Sequence, residues 1–210
     1  MTDSFKVLSL LLTYPTAETV AAAADMRRLI DADELVSARL RRPLIELIDE
    51  LATRDLFDLQ ERYVLLFDRT RSLSLYLFEH IHGESRDRGQ AMVDLMALYE
   101  RHGLTIEAKE LPDYIPLFLE FLSILPTDEA RALLAEPLHI ISALKKRHEK
   151  RDSAYAVVFR ALEEMAQGKA QADDVTNLLA GPDDDPNDLQ ALDHVWEEEA
   201  VTFGPGNAGT

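Results

Sequence analysis

Apolar residues recur at helical spacing along nearly the whole chain, and no run alternates strictly enough to argue for a strand. Val7, Leu10, Leu11 and Tyr14 fall at i, i+3, i+4, i+7, leaving Lys6, Ser9 and Thr13 as a polar stripe. Leu44, Leu47, Ile48 and Leu51 form a second stripe, opened by Pro43 where a missing N–H does no harm. Leu56, Leu59, Tyr63 and Leu66 follow Asp55 as a cap; Met92, Leu95, Met96 and Tyr99 precede the stop His102-Gly103; Tyr155, Val158, Phe159 and Leu162 precede Gly168. Prolines and glycines at 15, 43, 83, 103, 112, 126, 137 and 168 cut the chain into helices of ordinary length. The expected fold is all-α, a single multi-helix bundle, and no repeat of fixed period suggests a solenoid.

Two properties of composition exclude whole classes of function. The 210 residues hold 22 basic and 39 acidic side chains, a formal charge of −17, whereas nucleic-acid binding needs clustered Lys and Arg. Cysteine is absent, which removes disulfides, thiolate zinc sites, iron–sulfur ligation and cysteine nucleophiles. The longest apolar runs, near Val7 to Leu12 and Ile115 to Leu125, fall short of a bilayer span. Lys6, the leucines after it and the alanines at 21–24 imitate a secretory signal, but Asp3, Pro15 and Glu18 interrupt the pattern. A first core helix in a cytoplasmic protein is expected instead.

Charge is distributed unevenly. Residues 1–168 carry −8 and are expected to form the helical domain; residues 169–210 carry −9 and read as an acidic, largely flexible tail. Leu189, Leu192, Val195, Trp196, Val201 and Phe203 give that tail a candidate docking segment at 189–203, including the only tryptophan.

Three stretches are denser in unusual residues than packing demands. The first runs from Tyr63 through Phe67 and Asp68 to Arg69 and Arg71; the second, from Ser74 to Gly89, holds Tyr76, Phe78, Glu79, His80, His82, Glu84, Arg86, Asp87 and Arg88. His80 and His82 with Glu84 and Asp87 supply nitrogen and oxygen donors, so a metal- or nucleotide-dependent hydrolase is the alternative reading. Residues two apart on a helix diverge by about 200°, however, so the histidines converge only if the helix ends between them. The glycines at 83 and 89 lack the Gly-Lys-Ser/Thr ending of a P-loop, and no Gly-x-Ser-x-Gly or His-Glu-x-x-His occurs. Structural histidines and local Arg–acid pairs are the plainer expectation, with no catalytic residue, metal or cofactor.

In the third stretch, Glu110-Leu-Pro-Asp-Tyr-Ile-Pro-Leu-Phe-Leu-Glu-Phe-Leu122, Asp113 stands where a helix cap is wanted and Pro116 early enough to be tolerated. Tyr114, Leu117, Phe118, Phe121, Leu122 and Leu125 cover a broad face, so this helix is central to the bundle or lines a groove.

These stretches, with the Leu8–Pro15 helix and the closing Trp196-Glu-Glu-Glu-Ala-Val-Thr-Phe203, resemble the nitrate reductase molybdenum-cofactor assembly chaperones, the NarJ or delta-subunit family within the TorD-like redox-enzyme maturation chaperones. Leu77–Met92 and Glu110–Leu122 carry the most specific part of the likeness. Here Leu111 intervenes between Glu110 and Pro112, and Tyr114 replaces the histidine of the wider group's Glu-Pro-x-Asp-His signature. The resemblance implies a cytoplasmic chaperone without catalytic activity. Its implied partner is the catalytic (alpha) subunit of respiratory nitrate reductase, bound mainly through the amino-terminal segment and held for cofactor insertion before membrane anchoring.

A basic amphipathic client helix would place apolar anchors in a groove and its positive face toward acids on the rim. The residues expected to build such a groove are Tyr63, Phe67, Tyr76, Tyr114, Leu117 and Phe121, with Glu110, Asp113 and Glu120 on or near it. Arg69, His80, His82, Arg86, Asp87 and Arg88 are expected to form a polar cluster of the family motif. The tail segment around Trp196 is expected to cover the groove when no client is present.

Overall fold

The computed structural model describes residues 3–82, 86–106, 110–181 and 183, with His82 and Arg86 described at the backbone alone. Twelve α-helices run through these residues: α1 Asp3–Leu11, α2 Ala17–Ala21, α3 Ala23–Ala32, α4 Ala38–Thr53, α5 Leu56–Tyr63, α6 Glu79–His82, α7 Arg86–Arg101, α8 Ile115–Ile124, α9 Thr127–Ala135, α10 Leu138–Lys150, α11 Ala156–Met165 and α12 Ala172–Leu179. A π-helical turn, Val64–Asp68, extends α5, and a 3₁₀ turn covers Arg71–Leu73. No strand occurs among the described residues, as the periodicity predicts; the sole β element is an isolated antiparallel bridge between Tyr76 and Tyr114. No described helix is long and apolar enough to cross a membrane.

The most extensive helix pairing is α1 on α8, where the chain differs from the sequence expectation. Ser9 belongs to no exposed stripe: it is buried and its hydroxyl donates to the Pro116 carbonyl at 2.7 Å. Ser4 is buried too, so α1 is enclosed on almost every side, with Phe5, Val7, Leu8, Leu11 and Leu12 in the core and Tyr14 left partly exposed. The small hydroxyl side chains let two apolar helices approach closely. Lys6, from the same expected stripe, pairs with Glu120 across that interface.

The second layer packs α3 against α4 and α1, and α11 against α10 and α4. α4 starts at Ala38 rather than at Pro43, which lies inside it. One missing backbone bond costs about 3 kcal/mol, and burial of Leu40, Leu44, Leu47, Ile48 and Leu51 on one face offsets it at about 1.5–3 kcal/mol per side chain. Asp55 does cap α5, accepting from the Phe57 N–H at 2.9 Å. Gly103 takes a φ of +76° and closes α7 in the left-handed conformation that glycine adopts without penalty, whereas α11 ends at Met165 on an extended Ala166 and Gly168, at a φ of +84°, turns the chain beyond it.

The helical body runs past Gly168. α12, inside the stretch read as acidic tail, packs on α10 and buries Val175. Arg147 ties these elements together, donating to the Ser72 carbonyl at 2.8 Å and the Leu178 carbonyl at 2.6 Å. The expected docking segment 189–203 lies outside the described residues.

Candidate functional site

The three dense stretches meet at one place. The second and third are stitched by backbone bonds, with Leu77 N–H donating to the Asp113 carbonyl at 3.0 Å and Ile115 N–H to the Leu75 carbonyl at 2.8 Å. That bridge sets the rings of Tyr76 and Tyr114 side by side, 5.3 Å between centroids. The first stretch arrives through the π turn, a feature that re-aims side chains and recurs at functional sites. It turns Phe67 inward, 4.9 Å from Tyr63, and leaves Asp68 exposed.

A cleft of about 250 Å³ results, lined by Tyr14, Tyr63, Phe67, Asp68, Leu75, Tyr76, Glu110 and Tyr114. Its floor is a hydroxyl chain. Tyr63 donates to the Leu12 carbonyl at 3.1 Å, which occupies its only proton, so Tyr114 donates in turn to the Tyr63 oxygen at 3.0 Å. Tyr76 closes one wall by donating to Glu110 at 2.7 Å. Burial raises the pKa of all three phenols and nearby acids add to it, while the hydrogen bond to Tyr63 offsets part of the rise at Tyr114, so they remain neutral donors. Asp68 is also raised, first by burial and then by the charge of Glu110. Two carboxylates thus face one aromatic cleft, and none of its lining side chains among the described residues is basic.

Five of the nine residues expected at the client groove line this cleft: Tyr63, Phe67, Tyr76, Glu110 and Tyr114. Leu117, Glu120 and Phe121 line a separate apolar cleft of about 240 Å³, with Tyr99, Leu104, Thr105, Ile106 and Ile124. α8 projects its side chains all round, so residues three or four apart face the same cleft while Tyr114, before the helix, faces the other. Asp113 enters neither. It is 0% exposed, and it does not cap α8, which starts at Ile115 after Tyr114. Its Oδ2 instead accepts from the Phe78 N–H at 3.0 Å, holding the second stretch against the third, while burial raises its pKa. Tyr14, Asp68 and Leu75 were not anticipated as lining residues. Asp68 stood inside the first stretch and Tyr14 on the first helical stripe, but only the π turn and the bridge bring them together.

The polar cluster is partly built. Glu79 accepts from Ser74 at 2.5 Å and pairs with Arg88 at 3.4 Å. His80 Nε2 lies 2.8 Å from the Ser74 carbonyl, and burial lowers its pKa, so it is a neutral donor fixing that turn. Arg69 and Asp87 are exposed. The side chains of His82 and Arg86 lie outside the description, as does Glu84. Among the described residues no three His, Asp or Glu side chains converge as ligands for an ion.

Residues 33–161 match the family described as nitrate reductase delta subunit. The chain is 45% identical over 199 residues to the nitrate reductase molybdenum cofactor assembly chaperone NarJ of Escherichia coli (strain K12), covering 94% of this chain and 83% of that one. NarW of the same strain is 41% identical over 203 residues, covering 97% and 84%. NarJ of Bacillus subtilis (strain 168) is 35% identical over 178 residues, covering 80% and 96%. Among solved structures, one described as a redox enzyme maturation protein from Archaeoglobus fulgidus superposes with a TM-score of 0.57 at 25% identity, covering 77% of this chain and 91% of that one. The shared sequence spans the π turn, the bridged stretches and the helices that carry them, and the chain belongs to the nitrate reductase delta subunit family.

Proposed function

We propose that this protein is an assembly chaperone for nitrate reductase, which binds the catalytic subunit through its amino-terminal segment and holds it for molybdenum-cofactor insertion. The observation that carries this reading is the aromatic cleft lined by the two carboxylates of Asp68 and Glu110, formed where all three motif stretches meet. An apolar anchor of the client enters between Tyr63, Phe67 and Tyr114, displacing water from ring faces already held in place. A client Lys or Arg sits between Asp68 and Glu110, where a cation relieves the repulsion of two like charges. The net charge of −17 speeds encounter with a basic segment, and burial of the anchor sets residence time. Action in the cytoplasm, before the enzyme is anchored to the membrane, follows from the same reading.

The relatives' names favour this role over the hydrolase alternative. Titration calorimetry with a peptide of the client's amino-terminal segment tests it. Tyr76→Ala is expected to weaken binding roughly tenfold or more, the scale of a central aromatic contact. Affinity unchanged in Tyr76→Ala and in Asp68→Asn with Glu110→Gln sinks the assignment, and turnover with a stoichiometric bound metal favours the hydrolase.

A further inference from the structure

Next to the client cleft, and sharing Tyr14 with it, lies a wider cleft of about 530 Å³ over the outer face of α5. Its apolar lining is Tyr14, Phe57, Val64 and Leu65. Phe57 is 78% exposed, the largest value among the exposed large apolar side chains, and Tyr14 is 41% exposed. α5 and the π turn after it therefore carry two apolar faces: Leu59 and Tyr63 enter the core, while Phe57 is exposed and Val64 and Leu65 are half-buried along the cleft. Arg69 lines the same cleft, and both it and Arg71 are exposed with no carboxylate partner among the described residues.

The chain itself leads toward this surface. Asp183 is clamped by Lys150 at 2.6 Å, Arg151 at 2.5 Å and the Ser72 hydroxyl at 3.4 Å. Ser72 adjoins Arg71 in the sequence, so residues 184–210 follow a residue held against the turn that carries this arginine. Those residues hold seven acids and no Lys or Arg. Asp184, Asp185 and Asp188 come first, followed by Leu189, Leu192, Val195 and Trp196 at helical spacing. Trp196 stands thirteen positions after Asp183, a reach of up to about 45 Å when extended.

We propose that this segment returns along Arg71 and Arg69 and seats Leu192 and Trp196 on Phe57, Tyr14 and Leu65, covering the edge of the client cleft. Asp184, Asp185 and Asp188 supply charge complementarity to the arginines, and the tether supplies an effective concentration in the millimolar range. Asp58 and Glu61 also line the cleft and repel Glu197, Glu198 and Glu199, which keeps the contact weak. A basic client has the opposite sign toward every one of these acids, so it displaces the segment. That displacement rests on the proposed function; occupancy of the cleft does not.

Trp196 is the only tryptophan, so intrinsic fluorescence of the full-length chain reads its burial without a label. Emission to the blue of free tryptophan is expected. Phe57→Ser, and separately Arg69→Glu with Arg71→Glu, should each shift it to the red and raise acrylamide quenching, with helical content and melting unchanged. Emission already at the free-tryptophan position, or unmoved by both variants, overturns the proposal. A blue emission that appears only as protein concentration rises also overturns it, assigning the cleft to a second copy's tail. If the segment occupies the cleft about nine-tenths of the time, Trp196→Ser, which keeps the charge, should tighten client-peptide binding roughly tenfold. Binding by the wild type with no such gain overturns the occlusion, whereas absence of binding in both proteins refutes the client assignment and leaves the fluorescence result standing.

Discussion

Replacing His148 by Phe should remove an acid sensitivity built into the core behind the aromatic cleft. His148 is 0% exposed, stacked on Phe159 at 4.9 Å with an interplanar angle of 15°, and packed against Phe67 at 5.5 Å. Neither ring nitrogen has a hydrogen-bond partner among the described residues. Burial, with the charge of Arg151 adding to it, pushes the imidazole down to about 3 from 6.5. Protonation is thus favoured in the unfolded chain, so this residue's contribution to stability is complete above the unfolded pKa and declines as pH falls toward the folded one. The slope is at most about 1.4 kcal/mol per pH unit, and by about pH 5 the wild type should have lost roughly 2 kcal/mol through this residue. Phe keeps the stacked ring and cannot be protonated. Urea unfolding of both proteins at several pH values should give a stability difference that moves in the variant's favour by that amount between about pH 7 and 5. Other titrating groups are common to both chains and cancel in the difference. Parallel stability curves would refute the account, because they require an imidazole that is already charged or reachable by solvent.

The site and the helix pairings carry further expected outcomes. Tyr63→Phe removes bonds to Leu12 and Tyr114, so thermal unfolding should show a loss of about 1–3 kcal/mol. Asp113→Ala orphans the Phe78 N–H and should cost about 1–3 kcal/mol. Asp113→Asn should cost less at neutral pH: the raised folded pKa means Asp113 contributes most below its unfolded pKa and loses that contribution as pH rises through the folded value. Ser9→Leu should destabilise by about 1–3 kcal/mol in denaturant melts, since α1 and α8 meet closely at that residue. Asp68→Asn with Glu110→Gln should weaken client-peptide binding and flatten its dependence on salt in calorimetry, leaving melting nearly unchanged.

Helix content and most boundaries were legible because they rest on local signals: the stripe ending at Leu51, the Asp55 cap, and the glycine at 103. Pro43 misled because its cost is local while the leucine face that offsets it extends to both sides. Ser9 and Asp113 misled for a different reason. A serine at helical spacing looks solvent-facing until a second helix presents a carbonyl, and an aspartate before a helix looks like its cap until another segment presents an N–H. At the site, the stretches rich in Tyr, Phe and acids announced themselves, yet their division between two clefts depends on the π turn and the Tyr76–Tyr114 bridge. Neither has a sequence signature.

Whether the cleft holds the amino-terminal segment of the catalytic subunit is decided by one capture experiment. The full-length chain is used to capture the catalytic subunit from cells making it without cofactor, alongside a client lacking its amino-terminal segment and alongside Tyr76→Ala as bait. The account predicts capture of the intact client alone by the wild type, and marked loss with either the shortened client or the variant. Equal capture of intact and shortened clients by both baits would contradict it.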